Sequence, residues 1–221
     1  MTRGERTPTA DARHGLRRAP ALVLLLSLLG CVHLSQPAPQ IRDYRLDYPP
    51  PQIDGTTLPV VLRVAPLRVA AVYDRDAMVY RRDAYSTATS FYSRWSANPG
   101  NMLADLIARD LAASGKFRAI QQPPALLASD FQLSGEVEEF EERRDDDGCA
   151  AHVRLRVLLS QPGVAAGDQV RLRTTYSEDE PCSCADPRAL AASMSRAVQR
   201  LSARLQQDVY GAVAATTADA R

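Results

Sequence analysis

Four cysteines are the residues of this sequence best placed to do chemistry, and the first stands apart from the rest. Cys31 closes the run Leu28-Leu29-Gly30-Cys31, where small Gly30 lets a peptidase reach the bond and apolar Leu28 stands three residues ahead of it. The arrangement resembles the bacterial lipobox, whose cysteine thiol is the nucleophile that takes up a diacylglycerol. Residues 1–30 read as the matching secretory signal, with Arg13, Arg17 and Arg18 ahead of an apolar run over 19–29. That run is too short to remain as a membrane span, which needs about 20 apolar residues. Cys31 is therefore the expected lipidation site, and Val32, rather than Asp, after it points to the outer membrane, with the body in the periplasm.

The other three, Cys149, Cys182 and Cys184, belong to a compartment that favours bridges over free thiols. Two alternating segments, 153–159 and 170–176, flank a Gly-rich loop and read as a hairpin. Counting back from the loop sets Cys149 opposite a residue near 180, which makes Cys149–Cys182 the preferred disulfide and Cys184 the alternate partner. Such a bridge is worth roughly 3 to 4 kcal/mol. A zinc site from Cys149, His152, Cys182 and Cys184 is the rival, but residues 149 and 152 face opposite sides of a regular strand. Metal and cofactor are accordingly both expected to be none.

Catalysis is not expected. The sequence has no Gly-x-Ser-x-Gly elbow, no phosphate loop and no His-Glu-x-x-His. The acids Asp145, Asp146 and Asp147 are adjacent, without the alternating register of a calcium loop, and read with Gly148 as a turn. Net charge is +1 for the whole chain and, once the arginine-rich residues 1–30 are removed, about −2, so no positive field recommends nucleic acid as a partner. Lipid, not charge, must hold the mature chain on a membrane.

The elements that would carry these residues follow from periodicity. Strands are expected over 41–47, 58–71 with a break at Pro66, 78–82, 87–92, 116–120 and 130–142, besides the hairpin. Asn98 caps a helix over 98–114 that Gly115 ends, and Asp186 caps a second running to about residue 210, stopped by Gly211. The apolar stripe of the second helix reads as sheet-facing core. Six of the aromatics, Tyr73, Tyr80, Tyr85, Phe91, Tyr92 and Trp95, crowd into one stretch. They either cover the end of a sheet or form a surface for a protein partner or an apolar ligand.

Taken in order, the lipobox Cys31, Tyr44-Arg45-Leu46, Leu62-Arg63-Val64, Leu67-Arg68-Val69, Met78-Val79-Tyr80-Arg81, Tyr92 and Trp95, Pro99 with Met102-Leu103, Ser114-Gly115-Lys116-Phe117-Arg118 and the strand over 130–142 resemble the ABC-type transport auxiliary lipoproteins, the PqiC-like group. The cysteine set 149, 182 and 184 departs from that pattern. The resemblance covers about 41–210 and implies a mixed α/β (α+β) domain: a single twisted, largely antiparallel sheet with two main helices on it. It also implies an auxiliary role beside an ABC permease and an MCE-domain protein, moving lipids or apolar compounds, with self-association compatible with that role. The expected division is a signal over 1–30, a lipidated tether with one strand over 31–58, the domain over 59–211 and a flexible tail over 212–221. From another class, a structural or regulatory outer-membrane lipoprotein of the cell-wall synthase activator type would look similar.

Overall fold

The computed structural model describes residues 40–124, 128–145, 148–163 and 168–219. Alternation builds the sheet, most clearly in β7 (Phe131–Asp145), β8 (Gly148–Gln161) and β9 (Gln169–Cys182). Along β8, Ala151, Val153, Leu155, Val157 and Leu159 are all buried on one face, while Arg154 and Arg156 between them are exposed on the other. Burying each of the larger of these side chains contributes about 1.5–3 kcal/mol. The three strands pair antiparallel in sequence order. The turn and the Gly-rich loop that join them, residues 146–147 and 164–167, lie outside the described residues.

β7 is the hub. Along its second edge run, in succession and all parallel to it, β2 (Leu58–Val64), β3 (Arg68–Val69) and β4 (Ala77–Arg81). They act as one long strand broken twice, first at Pro66 as the sequence indicates. Backbone bonds from Ala65 to Leu133 (2.8 Å) and Ala70 to Val137 (2.9 Å) keep the ladder going across the break. β6 (Phe117–Gln121) pairs parallel with β2. β5 (Thr87–Trp95) returns antiparallel along β4, and β1 (Arg42–Tyr44) lies parallel to the last residues of β5. The sheet is thus mixed, with its longest ladders antiparallel. At Gly135 a side chain would start 2.4 Å from the Arg156 carbonyl oxygen, so only glycine lets β7 and β8 approach there.

Two helices cover one face. α1 (Pro99–Ala113) starts at Asn98, whose side chain accepts a bond from the Gly100 N–H at 2.9 Å. It stops where Gly115 takes φ +65°, the left-handed geometry of a helix end. α2 (Pro187–Asp219) begins at Asp186, which accepts from the N–H groups of Arg188 and Ala189. Leu190, Met194, Val198, Leu201, Leu205 and Val209 face the sheet as their spacing indicates.

Two expectations about the ends are corrected. Gly211 does not stop α2, which runs to Asp219, so the flexible tail over 212–221 is helical as far as residue 219. The reason is Val213, which is fully buried on the same stripe; its burial offsets the helix cost of one glycine, about 1 kcal/mol. The tether over 31–58 is likewise docked along much of its described length. Leu46, Tyr48 and Ile53 are buried. Ser195 accepts from the Asp47 N–H (3.1 Å), Gln199 donates to the Pro49 carbonyl (3.0 Å) and Tyr210 donates to that of Thr56 (3.0 Å). The proline run, unable to join a ladder, instead offers free carbonyls to the glutamines of α2.

Asp110 fastens this strap to both helices. It is wholly buried on α1 and accepts from the hydroxyls of Tyr48 (2.8 Å) and Ser202 (2.6 Å), while Arg109 grips its other oxygen at 2.7 Å. The Arg109 guanidinium also stacks over the Tyr48 ring at 4.6 Å. Burial, then the Asp110 charge, pushes the Tyr48 phenol far above its ordinary range.

Candidate functional site: an aromatic bulge, a buried polar cluster and three cysteines

The aromatic stretch divides by strand parity and by a bulge. Tyr73 and Trp95 are core residues: Trp95 is 3% exposed and meets Phe140 edge to face at 5.1 Å. As parts of a partner or ligand surface, Tyr73 and Trp95 are therefore corrected. Tyr80 is half-buried, and burial, then the Glu142 charge, pushes its phenol up to about 12. Tyr85 is fully exposed at the tip of the β4–β5 hairpin, and Phe91 (71%) and Tyr92 (44%) are exposed beyond it.

The register explains the last two. Ala77 pairs with Arg94 and Val79 with Thr89, so β5 advances five residues while β4 advances two. The surplus is extruded, closed by a bond from the Ser93 N–H to the Ser90 hydroxyl (2.8 Å), and Phe91 and Tyr92 sit on it with their rings 5.0 Å apart. β1 pairs only with Ser93 to Trp95, which leaves the bulge without a neighbouring strand on that side among the described residues. Ile41, exposed just ahead of β1, falls beside Tyr92 if the register is continued by one residue. A groove of about 380 Å³ lined by Asp76, Ala77, Thr89, Ser90, Phe91 and Arg94 adjoins the bulge. Phe91 carries a signal that alternation alone overlooks: two adjacent large aromatics on one strand cannot both point into a core.

The face of the sheet away from the helices is charged. Glu136 and Glu138 alternate with Arg68, Arg154 and Arg156 in ion pairs of 2.6–2.9 Å. These exposed pairs contribute little stability individually. Toward β4 the same face becomes buried and polar. Glu141 accepts from the Tyr73 hydroxyl at 2.7 Å and from Arg81 and Arg143 at 3.1 Å each. Arg143 also bonds Glu139, and His152 Nδ1 lies 2.7 Å from Asp179. Sequence reading missed this cluster because β7 carries an extra residue between Val137 and Glu139, which changes the face of every acid after it. Burial raises the carboxyls of Glu141 and Glu142 and lowers the His152 imidazole. The cluster can hold protons, but His152 is 1% exposed and Glu141 1%, so neither reaches a substrate from solvent.

These shifts oppose each other in pH. A raised Glu142 stabilises the fold below its ordinary value of 4.5, and that contribution is lost as pH rises through its folded value. A lowered His152 contributes above 6.5, and its contribution is lost as pH falls through its folded value. Glu142 retains one carboxylate oxygen without a hydrogen-bond partner among the described residues. Glu142→Gln should therefore gain on the parent as pH rises from 4 to 8, read as the difference between urea midpoints. A difference that stays constant with pH would contradict the burial argument.

Cys149 and Cys182 are direct cross-strand partners, as counting from the loop indicates, yet the bridge is Cys149–Cys184, with Cα atoms 5.2 Å apart. The preferred Cys149–Cys182 pairing is thus corrected in favour of the alternate. The register brings Cys182 close to Cys149 without deciding the bond, because a cysteine beyond the end of the ladder can reach the same sulfur. Cys184 lies past the ladder, in a turn that Ala185 (φ 58°) bends into α2, and is free to fold back over Cys149. The bridge consumes two of the thiols that the rival zinc site requires. No group of three or more His, Cys, Asp or Glu side chains is arranged to hold a metal among the described residues.

Cys31 and the whole of 1–30 lie outside the described residues, and no helix among those described is long and apolar enough to cross a membrane. No curated protein matches the chain. Among solved structures, the fold is shared with the DUF330 protein XCC0632 from Xanthomonas campestris, at 22% identity and TM-score 0.65, over 80% of this chain and 97% of that one. The hypothetical protein CT253 from Chlamydia trachomatis shares it at 15% identity and TM-score 0.51, over 72% and 99% of the two chains. The sequence model of the ABC-type transport auxiliary lipoprotein component matches residues 44–206, from the strand that opens the sheet to the body of α2. The chain belongs to the ABC-type transport auxiliary lipoprotein family.

Proposed function

We propose that this protein is a non-catalytic adaptor, acylated at Cys31 and held at the periplasmic side of the outer membrane. There it serves an ABC permease and an MCE-domain protein in moving lipids or apolar compounds. Family membership supports the auxiliary role, and the lipobox supports the anchor. The observation that carries the contact is the bulge of β5. Phe91 and Tyr92 are large exposed aromatics beside a strand edge that no described residue covers, with Tyr85 exposed at the hairpin tip, and such rings are enriched where proteins meet partners.

Two measurements test the proposal. Labelled palmitate is expected to enter the full chain and to be lost on Cys31→Ser; incorporation that survives the substitution would remove the anchor. The lipidated protein is expected to co-purify with an MCE-domain protein from membranes, and Phe91→Ser with Tyr92→Ser to reduce recovery at least tenfold, the loss of two hot-spot side chains. Undiminished recovery would take the bulge out of the interface. Failure of the parent itself to co-purify would dismiss the MCE partner.

A further inference from the structure

The third thiol sits beside a bridge that it does not share. Cys182 is free, half-buried and paired in register with Cys149, which is already bonded to Cys184 two residues further on. Opposed residues of an antiparallel pair have Cα atoms about 4.5–5.5 Å apart, inside the about 4.4–6.8 Å range that disulfides span. Both cysteines lie on the helix-covered face of the hairpin, with the parity of Ala151 and Val153 on β8 and of Tyr176 on β9. One sulfur is thus within bridging range of two competitors, one fixed in the ladder and one in an exposed turn.

We propose that Cys149, Cys182 and Cys184 form an intramolecular thiol–disulfide exchange site, with Cys182 as the attacking thiol and Cys184 as the thiol released to solvent. Cys182 gives its proton to solvent and its thiolate attacks the Cys149 sulfur. The Cys149–Cys182 bond forms, the Cys149–Cys184 bond breaks, and the electron pair leaves on the Cys184 sulfur, which takes a proton back. One disulfide and one thiol are present before and after, so no oxidant or reductant is consumed. What changes is which thiol is available: a half-buried one in a strand is exchanged for one in an exposed turn. That turn also holds Ala185, whose N–H bonds Glu142, and Asp186, which caps α2. Cys184 thereby becomes a site for covalent modification by a soft electrophile or a thiol reagent.

The surroundings keep the exchange slow near neutrality. Burial, then the Glu142 charge, pushes the Cys182 thiol up to about 11, with Asp186 adding to the effect and the Ala151 N–H and Arg196 opposing it. Below that value the thiolate fraction, and with it the exchange rate, rises about tenfold per pH unit.

The test uses the full-length lipidated protein in detergent, treated with a polyethylene glycol maleimide and mapped by peptide mass spectrometry. Label is expected on Cys184, in molecules that now carry Cys149–Cys182, accumulating about tenfold faster at pH 9 than at pH 8. Cys182→Ser should slow labelling of Cys184 at least tenfold, because the attacker is gone. Cys184→Ser, with its helix content checked by circular dichroism, should form Cys149–Cys182 under air oxidation. Label on Cys182 with Cys149–Cys184 intact, no label on either, unslowed labelling in Cys182→Ser, or a folded Cys184→Ser that leaves both thiols reduced would each overturn the proposal.

Discussion

Asp110→Ala is expected to lower the unfolding free energy by about 3 kcal/mol. The carboxylate has no exposed surface and accepts from Tyr48, Ser202 and Arg109, so its removal leaves two buried hydroxyls without their acceptor. Each orphaned donor costs about 1–3 kcal/mol. Arg109 softens the loss, because its side chain is 37% exposed and can turn to water. Asp110→Asn keeps one accepting oxygen and should lose about half as much. Because Tyr48 belongs to the strap and Ser202 to α2, the damage should spread: amides around 47–53 should lose hydrogen-exchange protection along with those of α1. Guanidinium titration checks the magnitude, and a loss below about 1 kcal/mol would mean that the strap is held by its apolar contacts alone.

Trp95→Ala should be still more damaging, by about 3–5 kcal/mol, the usual result of emptying a large aromatic site in a core. Trp95 packs on Phe140 in the middle of the β5–β7 region and its backbone N–H bonds the Asp76 carbonyl at 2.7 Å. Phe91→Ser and Tyr92→Ser, four and three residues earlier on the same strand, should shift stability by no more than about 0.5 kcal/mol each, as exposed positions do. Comparing these variants by thermal unfolding separates the aromatic stretch into what folds the protein and what faces outward. A Trp95 variant that failed to bind a partner would say nothing about an interface, since domains of this size have only about 5–15 kcal/mol in hand.

Local signals located nearly every element. Pro66 breaks the long β2–β3 strand, Asn98 and Gly115 bound α1, and the stripe from Leu190 to Val209 faces the sheet, because each is decided by neighbours close in sequence. Pairing over distance was less legible. That β2, β3 and β4 all line up along one edge of β7 depends on crossovers which periodicity does not encode, and the bulges in β5 and β7 each change which face the following side chains occupy. Composition therefore groups Phe91 with Tyr73 and Trp95, and alternation gives no sign that Glu141 and Glu142 are buried. The cysteines show the same division: counting from the loop gave the Cys149–Cys182 register, while the bond went to a residue in a turn whose course no count could supply.

The placement of β1 ties geography to attachment. A fully stretched polypeptide gains at most about 3.6 Å per residue, so the span from Cys31 to Arg42 can be no longer than about 40 Å. It enters the sheet next to Ser93, two residues from Phe91. If Cys31 carries the proposed acyl group, Arg42 lies within that reach of the lipid headgroups, and the protruding rings lie within two residues along β5 of its partner Ser93. On the proposed anchoring, a partner that docks on those rings does so near the bilayer.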